Sequence, residues 1–116
     1  MNRYTLDTPF DITGTVSVDG PPEVISGQDD DPTGLAWNED GTQLFVVGAE
    51  NDKVYTYNVG IPYDVTGSFS HAGVSSDFLV KGQTSSPEGI TFSSDGLKMF
   101  IVDADEVFQY SLPEPY

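Results

Sequence analysis

The chain has 116 residues, 19 acidic side chains against 4 basic ones, a formal net charge of -15 and no cysteine. That length holds one core, that charge disfavours nucleic acid and anionic membrane surfaces as partners, and the lack of cysteine removes disulfides and thiolate chemistry. No apolar run approaches a membrane span and "MNRYTLDTPF" has no apolar signal-peptide stretch, so a soluble chain is expected.

The first predicted element is an N-terminal strand over about 12–25, "ITGTVSVDG…", small and weakly alternating, with Ile12, Val16 and Val18 as its apolar groups. After the connector "ISGQDDDPTG" comes a short apolar strand at 33–38. "NEDG" then places Asp-Gly between two apolar runs, a hairpin signal because these residues tolerate positive φ. "QLFVVG" (43–48) is apolar on both faces, as a strand buried on both sides requires. "KVYTYNV" (53–59) alternates, and a polar, small-residue strand follows over about 66–80, as suits an outer edge. The elements then recur: "GITF", "SSDG", "KMFIV" and "EVFQYSL".

The recurrence is an internal repeat. "PTGLAWNEDGTQLFVV" (32–47) lies over "PEGITFSSDGLKMFIV" (87–102) without a gap, at an offset of 55. "VYTYNVGIPYDVTGSF" (54–69) matches both "VFQYSLPEPY" (107–116) and "YTLDTPFDITGTV" (4–16). A unit of 53–55 residues indicates a solenoid, a propeller or an array, and four antiparallel strands graded from buried to exposed make one propeller blade. The predicted fold class is therefore all-β, with two four-stranded antiparallel propeller blades per chain.

A Gly, an apolar pair, "xxDG", an apolar run and a Val-aromatic strand together resemble the blades of the YVTN and NHL-type (lactonase-like) β-propeller families. The resemblance covers both units. It implies the propeller fold, and it implies that enzymes of this broad type place metal or catalytic groups at a central channel. No motif for those groups is found here, so none of the families' site residues carries over.

With strands labelled A to D from the channel outward, the chain reads D, A, B, C, D, A, B, C. Residues 1–31 give an outer strand and connector, 32–86 a complete blade, and 87–116 a blade without its outer strand. The N-terminal strand of one copy is expected to complete the last blade of another, a head-to-tail contact that closes by rotation. A six-bladed trimer is favoured, an eight-bladed tetramer comes second, and a fragment of a longer propeller chain is the third reading. Leu44, Val46, Phe100, Val102 and Phe108 join Ile12, Val16 and Val18 as the expected subunit interface.

Asp29, Asp30 and Asp31 precede strand A, and in a propeller that connector shares a face with the B-to-C turns. Glu50, Asp52, Asp103, Asp105 and Glu106 are expected beside them. Carboxylates suit hard cations, so these residues are the candidate sites for weakly held Ca²⁺, with no dedicated cofactor expected. "DDDPTGLAWNED" imitates a calcium loop, but strand A needs Leu35, Ala36 and Trp37, and a solvated acidic loop is the plainer reading. His71, the single histidine, is expected to face solvent on an edge strand. Trp37, Tyr55, Tyr57, Phe108 and Tyr110 are expected to pack between blades. The function this supports is a non-enzymatic binding or structural module of unknown ligand. A metal-dependent propeller hydrolase and a carbohydrate-binding propeller lectin are the alternatives.

Overall fold

The computed structural model describes residues 1–116 and is all-β: ten strands, one 3₁₀ turn and no α-helix. No helix is long and apolar enough to cross a membrane. In chain order the strands are β1 (Tyr4–Leu6), β2 (Val16–Val18), β3 (Pro32–Trp37), β4 (Gln43–Gly48), β5 (Lys53–Ile61), β6 (Asp64–His71), β7 (Phe78–Leu79), β8 (Gly89–Phe92), β9 (Lys98–Val102) and β10 (Val107–Ser111). Every pairing is antiparallel. The first full sheet runs β3-β4-β5-β6, with β7 also on β5, and the second runs β8-β9-β10.

Turn chemistry sets these hairpins. Gly41 and Gly96 sit at φ 73 and 69, a region open to glycine. Asp40 accepts from Thr42 N at 3.0 Å and Asp95 from Leu97 N at 3.0 Å, which ties down each β3–β4 and β8–β9 turn. The outer strand expected over 66–80 is interrupted. Gly73, at φ 108, opens a 3₁₀ turn at Val74–Ser76, and β7 then returns to the β5 edge at Lys53 and Val54.

The N-terminal strand differs more from expectation. Only Val16–Val18 are extended, and β2 is not bare, because β1 pairs with it as Tyr4↔Val18, Thr5↔Ser17 and Leu6↔Val16. Adding 53 to every number gives Tyr57↔His71, Asn58↔Ser70 and Val59↔Phe69, the register of β5 with β6. The flanking bonds repeat too: Asp19 N donates to Arg3 O at 2.8 Å, and Ala72 N to Thr56 O at 2.8 Å. Phe10 and Tyr63 both stand at positive φ, 59 and 61, and Asp11 and Asp64 each cap the backbone two residues on at 2.8 Å. The β1–β2 hairpin is the β5–β6 hairpin built a second time.

The length predicts one core, but the apolar residues of β4 divide between two, because β4 is buried on both faces. Phe45 and Val47 face the second sheet and pack with Met99, Ile101, Val54 and Val80. Leu44 and Val46 face the other way, with Tyr55, Tyr57, Val59 and Val65, and are covered in part by Met1 and Ile25. The two sheets approach closely at Gly34 and Gly89, where a β-carbon on Gly34 would lie 2.7 Å from Gly89 Cα.

Candidate functional site

The structure brings the D-to-A connector against the β4–β5 turn, and Asp29 is the centre of that junction. The residue is 2% exposed. Oδ1 accepts from Asp31 N at 2.9 Å and Glu50 N at 3.3 Å, and Oδ2 from Asn51 N at 3.1 Å and the Tyr55 hydroxyl at 3.3 Å. Four donors therefore meet the two oxygens of a buried carboxylate. Gly48 makes the approach possible, because the Asp29 carboxylate fills the space its β-carbon would need.

The second unit solves the same junction with the partners exchanged. Thr84 stands where Asp29 does and Asp103 where Gly48 does, each at the offset of 55. Asp103 caps its own turn, accepting from Asp105 N at 3.1 Å and Glu106 N at 3.0 Å. These N–H bonds, together with the Thr84 hydroxyl, hold its carboxyl below the usual range, the Asp105 N–H being the largest cause.

Of the other candidate cation ligands, Asp30 and Glu50 are joined through Asp30 N and Glu50 Oε2 at 2.9 Å. Asp31 and Asp105 are exposed. Asp52 is buried at φ 53, and its Oδ1 has no hydrogen-bond partner. No three of the acidic or histidine side chains converge as metal ligands. The calcium-loop pattern at 29–40 does not wrap, because Pro32–Trp37 is taken up by β3 and paired with β4.

His71 is placed differently from its expected position facing solvent. Its side chain is 17% exposed and its Nε2 lies 2.7 Å from Asp77 Oδ1, because the 3₁₀ turn carries Asp77 back beneath β6. Tyr55 and Tyr57 lie beside its ring, and burial pushes both phenols up to about 12. The Tyr57 hydroxyl donates to Gln28 Oε1 at 3.1 Å, and Tyr110 does the same to Gln83 at 3.1 Å. His71, Asp77, Tyr55 and Gln28 line a cavity of about 260 Å³ with Asn51 and Lys53. It holds the His71–Asp77 pair. The sequence signal for it was slight, since His71 and Asp77 are six positions apart across a turn that the strand reading passed over.

The expected interface residues do not form one surface. Leu44 and Val46 are buried under the N-terminal segment, where cavities of about 450 and 220 Å³ remain between Met1, Asn2, Leu35 and the sheet. Phe100 and Val102 point to the free side of the second sheet, while Phe108 pairs with Ile101 and is half-buried. Ile12 is 79% exposed, and Val16 and Val18 are exposed with it. The outer edge of β10 has no partner strand.

No protein-family model, curated protein or solved structure matches the chain.

Proposed function

We propose that this protein is a non-enzymatic structural or binding module of the β-propeller class, whose copies join head to tail. One observation carries the reading. Inside the chain, the Phe45/Val47 face of one sheet packs on the Met99/Ile101 face of the next. The repeat counterparts of those faces are Phe100/Val102 and Leu44/Val46. They lie on the two outer sides of the packed sheets, one free and the other covered by the N-terminal segment with large cavities left beneath. Two copies can therefore repeat between them the contact that each already makes within itself. The blade-like resemblance of the repeat supports the same reading. So does the employment of the acidic side chains: Asp11, Asp29, Asp40, Asp64, Asp95 and Asp103 are all bonded to nearby backbone N–H groups.

Three copies complete six blades, the favoured count, and four complete eight, both within the usual range. Light scattering tests it. The full chain of 12.5 kDa should run as a trimer of about 37 kDa, and Phe100→Ser/Val102→Ser should lower the mass toward the monomer. A full chain that stays monomeric at every concentration, folded and unaffected by those substitutions, overturns the reading.

A further inference from the structure

We infer that β1 is an internal stand-in for the β10 of a second copy, so that copies join by exchanging one strand for its duplicate. The inference rests on the head-to-tail reading above and says how that contact forms. In the first sheet, β5 pairs with β6 as Tyr57↔His71, Asn58↔Ser70 and Val59↔Phe69. By the repeat, Tyr110 and Ser111 of β10 and the next residue, Leu112, stand at the positions of Tyr57, Asn58 and Val59, and β2 contributes Val18, Ser17 and Val16 at those of the partner. β10 and β2 are thus matched strands. Within one chain, however, Tyr4, Thr5 and Leu6 already occupy that edge of β2 in the same register. β1 and the other copy's β10 cannot both be there.

Exchange conserves most of what it breaks. Tyr-Thr-Leu leaves and Tyr-Ser-Leu arrives, with the backbone ladder kept, so the ladder itself favours neither side. The apolar terms favour the joined state. Ile12, exposed here, stands where Val65 is buried against Leu44 and Val59, and would meet Met99 and Leu112 of the other copy. Arg3 favours the closed state. It pairs with Asp19 at 2.9 Å and with Asp64 on β6, holding β1 against the first sheet, and Gln109 of β10 offers no such charge in its place. β1 therefore protects the β2 edge in a lone chain, as sheet edges require, and Arg3 sets how readily it yields.

The cysteine-free sequence allows the exchange to be trapped in the full chain. Leu6 and Val16 face each other between the bonded positions of the ladder, since Asp7 N donates to Thr15 O at 3.3 Å on one side. Such pairs bring their Cα atoms to about 4.5 Å, close enough for a disulfide. Oxidised Leu6→Cys/Val16→Cys should stay monomeric, and its reduction should restore the oligomer. Oxidised Val16→Cys/Leu112→Cys should instead give covalent dimers and longer ladders on a denaturing gel. Arg3→Gln should shift association to lower protein concentration. The inference is overturned if the locked form assembles as well as its reduced control. It is also overturned if the oligomer forms but Val16→Cys/Leu112→Cys yields no link between subunits. In either case head-to-tail assembly still stands. Monomers from the wild-type chain, the reduced controls and Arg3→Gln alike overturn assembly and exchange together.

Discussion

Asp29 and Gly48 share one space: the carboxylate of the first lies where the second would carry its β-carbon. In the other unit the carboxylate has moved across the junction, to Asp103, and Thr84 replaces Asp29. The two junctions are alternative solutions, and each residue fits only its own partner.

A double-mutant cycle should expose this coupling. Asp29→Thr strands the N–H groups of Asp31, Glu50 and Asn51, at a cost of about 1–3 kcal/mol. Gly48→Asp puts a side chain into an occupied space and costs about 1–3 kcal/mol as well. The double variant should recover about 1–2 kcal/mol of the summed loss. Denaturant unfolding measures all three, and simple additivity would show that the exchange between units is coincidental.

Gly41 should resist substitution for two reasons at once. Its φ of 73 costs an alanine about 1–2 kcal/mol, and its β-carbon would strike the ring of Tyr63, which also packs edge-on against Trp37. Gly41→Ala should lower the melting temperature, and Gly41→Ala/Tyr63→Ala should lower it by less than the two single losses added. Gly96 and Tyr116 should behave alike, since they make the same contact.

The two faces of β9 should separate stability from association. Ile101 is fully buried between the sheets, so Ile101→Ala should cost about 2–5 kcal/mol of folding stability. Phe100 lies on the free face, and Phe100→Ser should cost under about 1 kcal/mol in a lone chain. The same change should weaken association. Thermal melts alongside light scattering test both, and equal effects on stability would mean the faces are misassigned.

Acid should loosen the hairpin turns late. Asp64 is held down to about 2, first by the Thr66 hydroxyl and then by Arg3, and the Thr13, Thr42 and Ser93 hydroxyls lower Asp11, Asp40 and Asp95 in the same way. A carboxyl depressed on folding contributes fully above its unfolded value near ~3.9 and loses that contribution as pH falls through the folded value. The gap in melting temperature between the wild type and Asp64→Ala should hold from pH 8 to about pH 4 and close toward pH 2. Solvent screening keeps the gap modest. A gap that closes already at pH 6 would show that another group is titrating.

Calcium should bind weakly. Asp29 is committed to N–H donors, which leaves exposed carboxylates such as Asp30, Asp31 and Asp105, and loose loop sites of this kind hold Ca²⁺ at about 10⁻⁴ M or worse. Calorimetric titration should show little heat. Tight binding that survives Asp29→Ser/Asp30→Ser/Asp31→Ser would place the ligands elsewhere.

The sequence by itself determined what depends on near neighbours. Asp40-Gly41 and Asp95-Gly96 marked hairpins because turn geometry is settled within four residues. "QLFVVG" marked a doubly buried strand because side chains alternate along it. The repeat at 53–55 residues then fixed the strand order of both sheets. Even the duplicate of β5–β6 was legible, since "YTLDTPFDITG" lies over "YNVGIPYDVTG" without a gap, although only its second strand was expected to form. What the tertiary structure alone decided was which distant groups meet. Asp29 reaches N–H groups 21 and 22 positions away, and His71 turns inward only because the 3₁₀ turn returns Asp77 to it. Such meetings follow from how sheets pack and how connectors cross them. A carboxylate that caps a buried turn and one that lies in water are the same letter in the chain.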